Sequence, residues 1–173
     1  MGDINEALAA SRDAVHRLMA HAESTGHAWM TSPGPGKWSP SQIVEHVARS
    51  LDASANVASG QPSSFPRLPA VLHPLLRLVF KRILKKGAFP KGKTTAAMNP
   101  ATGPATPRDG RARLEEAHQQ FEIACRALAA RRAPMPTPMF GAVPVEDFVR
   151  FMELHTRHHD RQIGHLESGR LSS

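Results

Sequence analysis

A chain of 173 residues, 40% of them hydrophobic, is long enough for one domain with a continuous core and too ordinary in composition for global disorder. Aromatics make up 5% and Tyr is absent, which argues against a β-sandwich or barrel; the single cysteine, Cys125, excludes an intrachain disulfide and a thiolate metal cluster. The net charge of +7 is local, because Arg77, Lys81, Arg82, Lys85, Lys86, Lys91 and Lys93 fall in one acid-free stretch and the remaining basic residues only equal the 15 acidic ones, so the chain as a whole does not read as a nucleic-acid binder.

The N-terminal residues are polar, with neither a basic region nor a long apolar run, so no signal peptide is expected. Glu6 breaks the myristoylation pattern, and no apolar stretch reaches membrane-spanning length. The expected compartment is the cytoplasm. A first helix is predicted from about Asn5 to Glu23, where Ile4, Leu8, Val15, Leu18 and Ala22 form an apolar stripe that Gly26 ends. The second start signal is sharper. Ser39 is an N-cap, Pro40 takes the first helical position, and Gln42 closes a capping box, with Trp38 placed to staple onto Ile43. The stripe runs on through Val47, Leu51, Ser54 and Ala58 and should fade before Gly60.

Gln61 to Arg67 reads as loop. Between Leu68 and Leu84, Pro69 and Pro74 break the apolar pattern, so a shorter basic helix is expected after Pro74. Its Leu75, Leu76, Val79, Phe80 and Ile83 are expected to pack on the rest of the fold rather than face lipid. Gly87 to Gly110 is a long loop and the candidate lid. The third main helix carries Leu114, Ala117, Phe121, Ala124, Cys125 and Leu128 on one face, which makes Cys125 a buried, inert thiol. Ala133 to Pro144, with four prolines, reads as a connector. The last helix should run from Pro144 or Val145 to Gly169. Four amphipathic helices and almost no strand pattern predict an all-α four-helix bundle, residues 1–173 forming a single domain.

Chemistry is concentrated on the last helix. Phe148, Met152, His155, His159, Gln162 and Leu166 recur at spacings of three and four and form a core-facing seam. In a chain with ten histidines about half a pair four apart is expected by chance, and a solvated polar cluster around Arg157 to Arg161 is the plain alternative. Phase separates the two readings: His155 and His159 fall on the apolar seam, one turn apart, while His158 and His165 fall on its flank. Two imidazoles one turn apart suit a shared metal ion. His46 lies at the border of the second helix's stripe, between Ile43 and Val47, from where it could point across the bundle. His16, His21, His27, His73 and His118 lack such partners and read as surface or capping groups. Glu45 and Glu153 point away from the histidines, and Asp160 is expected to pair with Arg157 or Arg161. No general base is assigned.

The run Trp38-Ser39-Pro40-Ser41-Gln42-Ile43-Val44-Glu45-His46-Val47 resembles the second-helix motif of the DinB/YfiT-like superfamily. His155-Thr156-Arg157-His158-His159-Asp160-Arg161-Gln162-Ile163 is similar to its last-helix motif, and the order and separation of the two motifs also match. The resemblance implies a four-helix bundle of that type, here with an extra short basic helix and a long loop between the second and third main helices. It also implies a homodimer and one divalent metal ion held by His46, His155 and His159, and His46 enters the set mainly on this ground. Three imidazoles leave an open coordination position; Zn²⁺ is the first choice, with Ni²⁺ and Mn²⁺ next. Activities known in the superfamily point to a small-molecule substrate, with a low-molecular-weight thiol as cosubstrate or with hydrolysis. The other reading is a non-catalytic metal-binding module whose basic helix engages a membrane surface or an anionic partner.

Overall fold

The computed structural model describes residues 3–89 and 95–170, the side chains of residue 97 and of 165–170 aside. Helix α1 spans Ile4–Ser24, with Asp3 as N-cap accepting from the Asn5 N–H. Helix α2 spans Pro40–Ala58 and opens with the expected capping box: Ser39 Oγ accepts from Gln42 N, and Gln42 Oε1 accepts from Ser39 N. Helix α3 is the short basic helix, His73–Lys86, closed by Gly87 in the left-handed region. Helix α4 spans Pro107–Ala130 and α5 spans Val145–Arg170, so both ends of the last helix fall within a residue of their predicted positions.

The four long helices form the bundle. α1 packs along α5, α4 packs against α2 and α1, and α2 meets α5. Their buried faces make one core in which Leu8, Leu18, Leu51, Leu114, Phe121, Phe148 and Met152 are sealed from solvent. The small polar residues of α2 enter that core satisfied, since Ser50 Oγ and Ser54 Oγ donate to the carbonyls one turn back, His46 O and Ser50 O. α3 lies outside the bundle and packs on α5.

Two boundaries differ from the sequence-based expectation. The third main helix starts at Pro107, inside the stretch expected to be loop. Thr106 is its N-cap and accepts from Asp109 N at 3.1 Å, so the signal was the short run Thr106-Pro107-Arg108-Asp109. Gly110, read as the end of a loop, is inside that helix, and a Cβ there would lie 2.6 Å from Cη2 of the Trp29 ring. The proline-rich connector holds a two-stranded antiparallel hairpin, β1 Met135–Thr137 and β2 Gly141–Val143, with Met135 opposite Val143 and Thr137 opposite Gly141. Phe140 at its tip packs at a tilt against Phe80 of α3 and edge-to-face against Phe151 of α5, and Arg77 Nε donates to Phe140 O.

Candidate metal centre

The capping box at Ser39 fixes where α2 begins, and hence which way His46 faces. Ile43, Val44, Val47 and Ala48 around it are all buried, because α2 is covered on several sides. The border of its apolar stripe therefore lies inside the protein, and His46 is only 4% exposed. On α5, His159 is 5% exposed and His155 half-buried. The seam holds through Phe148, Met152, His155 and His159 and then turns outward, leaving Gln162 exposed. The side chains of His165 and Leu166 lie outside the described residues.

The three histidines meet through one atom each. His155 Nε2 lies 3.3 Å from His46 Nε2 and 3.2 Å from His159 Nε2. Three nitrogens at about 2.0–2.1 Å from a tetrahedral Zn²⁺ would sit roughly 3.3 Å apart, so these two separations match what such an ion needs, and all three ligand atoms lie within 4.8 Å of one another. Among the described residues this is the one group of three or more His, Cys, Asp or Glu side chains close enough to share an ion.

The outer nitrogens explain why the inner ones converge. His46 Nδ1 is 2.8 Å from the Met98 carbonyl, which can only accept, so the proton sits on Nδ1 and the Nε2 lone pair faces the cluster. With the Gln162 amide oriented so that Nε2 contacts His158 Nε2 at 3.1 Å, its Oε1 accepts from His159 Nδ1–H at 2.8 Å. That again leaves the Nε2 lone pair facing inward. His155 differs: its Nδ1 is buried with no hydrogen-bond partner among the described residues. The ring leaves one nitrogen unpaired to place the other in the cluster, at a cost of about 1–3 kcal/mol that coordination at Nε2 would offset. The donor set and its geometry fit a divalent ion.

Burial holds all three rings neutral, the form that binds metal. It pushes His155 well below the usual histidine range, helped by the proximity of His159 and His46, and takes His159 to about 3. His46 is lowered for the same reason, although its bond to Met98 O works the other way.

Aromatic rings wall the cluster. Trp38, expected only to staple the start of α2, lies 4.7 Å from the His46 ring and 6.1 Å from the His159 ring, and its Nε1 donates to Asn99 Oδ1. Phe89 stands 5.3 Å from the His155 ring. The stretch read as a lid is anchored where it is described: Met98 is buried, and Gln42 Nε2 and Ser41 Oγ donate to the carbonyls of Pro100, Ala101 and Pro104. Residues 90–94 of that stretch lie outside the described residues.

The nearby carboxylates are engaged elsewhere. Glu45 pairs with Arg49 and Arg113, and Glu153 is buried against Arg157. Asp160 pairs with His21 rather than an arginine, because α1 packs along this side of α5. His118, read as a surface group, is a core histidine 3.1 Å from Ser11 Oγ of α1. Cys125 is buried as expected, and burial pushes its thiol up to about 12.

The family model of the DinB superfamily matches residues 7–163, which include α2, α5 and all three histidines. No curated protein and no solved structure matches the chain significantly. The chain belongs to the DinB superfamily.

Proposed function

We propose that this DinB-superfamily chain is a metal-dependent enzyme in which His46, His155 and His159 hold one divalent ion through Nε2. Zn²⁺ comes first, and Ni²⁺ and Mn²⁺ follow because imidazole alone discriminates poorly between them. The observation that most supports this is the convergence of three neutral Nε2 atoms at 3.2 and 3.3 Å, two of them with the opposite nitrogen donating to an oxygen. When bound, the ion supplies Lewis acidity, lowering the pKa of a thiol or water in its open position.

The chain's own residues orient and shield. Met98 O and Gln162 fix the tautomers of His46 and His159, while Trp38 and Phe89 restrict water around the cluster. With Glu45, Glu153 and Asp160 committed to ion pairs, no side chain is assigned as general base. The reaction favoured is S-transfer using a low-molecular-weight thiol, with hydrolysis second; both rest on the resemblance to the superfamily. So does the assignment as a homodimer. The compartment proposed with this reading is the cytoplasm.

Cobalt substitution tests this reading. Metal-free protein loaded with Co²⁺ should develop visible bands, and glutathione should then add a near-ultraviolet sulfur-to-cobalt charge-transfer band. Bands without any response to thiol would eliminate the transferase branch. Failure to take up Co²⁺ would eliminate the enzyme reading altogether.

A further inference from the structure

The amphipathic pattern of α3 led to the expectation that its aliphatic residues pack inward, and the structure divides them instead. Phe80 and Ile83 are buried and Leu76 is half-buried, on the side that meets α5 and the hairpin. Leu75 is 62% exposed, Leu78 65% and Val79 43%, and Val71, in the turn that leads into the helix, is 81% exposed. At 100° per residue along α3, Leu75, Leu78 and Val79 share one stripe opposite Phe80, and Arg82 and Lys86 continue it. The helix thus has a second apolar face, turned away from the bundle, which passes into a basic one.

The sequence on either side of α3 carries charge of one sign. No acidic residue occurs between Asp52 and Asp109, while Arg67, Arg77, Lys81, Arg82, Lys85, Lys86, Lys91, Lys93 and Arg108 all do. Lys81, Arg82, Lys85 and Lys86 are exposed, and each forms no ion pair among the described residues. We infer that this face of α3 docks on an anionic lipid bilayer surface, with Val71, Leu75 and Leu78 entering the headgroup boundary and the four cations meeting lipid phosphates.

Charge complementarity selects this occupant. A symmetric pairing of two copies through the stripe would cover the aliphatic residues but bring no acidic residue of this segment to Arg82 and Lys86, since none lies between Asp52 and Asp109. Nucleic acid would complement the cations but gain little from the aliphatic residues, and α3 exposes no aromatic ring for stacking. An anionic bilayer surface satisfies both halves, because aliphatic burial and electrostatic attraction add there. Docking through α3 is independent of metal binding, since none of these residues touches the histidine cluster.

The test is co-sedimentation of the full chain with phosphatidylcholine vesicles, with and without phosphatidylglycerol. Partitioning should require the anionic lipid and weaken as salt is raised. It should fall by at least about tenfold in Lys81→Gln/Arg82→Gln/Lys85→Gln/Lys86→Gln, and fall also in Leu75→Ser/Leu78→Ser. These side chains are exposed, so both variants should keep the helical signal and metal content of the parent, which separates this result from any failure of the metal site. Equal binding to neutral vesicles, or full binding by the four-charge variant, would overturn the inference. So would a lipid-free dimer that Leu75→Ser/Leu78→Ser splits, since the face would then belong to a second copy.

Discussion

His159 Nε2 lies 3.2 Å from His155 Nε2, one turn earlier on α5, and the Gln162 amide one turn further on holds the other nitrogen of the His159 ring. Three residues of one helix thus set both the position of a donor atom and the tautomer that makes it a donor. Gln162 itself is exposed, so its removal should leave the fold intact. Gln162→Ala is expected to weaken metal affinity by roughly 10- to 100-fold with little change in the denaturation midpoint. Titration with a competing chelator reads the first quantity and urea unfolding the second. An unchanged affinity would remove Gln162 from the site.

Gly110 offers a test of packing against propensity. Alanine in a helix interior ordinarily gains about 1 kcal/mol over glycine. Here the added Cβ would meet the Trp29 ring at 2.6–2.7 Å, and overpacking of that kind costs about 1–3 kcal/mol. Gly110→Ala should therefore destabilise the protein, by about 1 kcal/mol. A variant more stable than the parent in urea would mean that Trp29 is free to move aside.

His118 makes stability depend on pH from outside the metal cluster. Burial lowers its pKa below 6.5, so the folded protein keeps it neutral while the unfolded chain protonates it near that pH. Its contribution is complete above the unfolded pKa and is lost as pH falls toward the folded one. Between pH 7 and pH 5 the parent should lose stability relative to His118→Gln, with a slope that cannot exceed about 1.4 kcal/mol per pH unit for one proton. Parallel stability curves for the two proteins would contradict this.

Cys125 should be silent. Its side chain has no exposure, and burial followed by the nearby Glu122 raises its pKa to about 12. A thiol reagent at pH 8 should label it only when denaturant unfolds the chain. Fast labelling of the native protein would show that α4 opens locally.

What could be read from the sequence was local. The Ser39–Gln42 capping box and the phase of Phe148, Met152, His155 and His159 depend on residues within a few turns, and both reappear as predicted. His46 was placed at the border of its stripe because a single helix does not reveal how many neighbours will cover it. The partners that complete the site come from far along the chain: Met98 is 52 residues from His46, and Asn99 is 61 from Trp38. No period in the sequence encodes such contacts. The hairpin at Met135–Val143 was hidden for a different reason, since prolines that mark a connector also tolerate short edge strands.

The most direct test of the metal centre is elemental analysis of protein purified without an affinity tag, beside His46→Ala, His155→Ala and His159→Ala. The parent should carry about one divalent ion per chain, and each variant should lose it while keeping its helical signal. A parent without metal after exposure to Zn²⁺, Ni²⁺ and Mn²⁺, or variants that retain the full complement, would contradict the assignment of these three histidines.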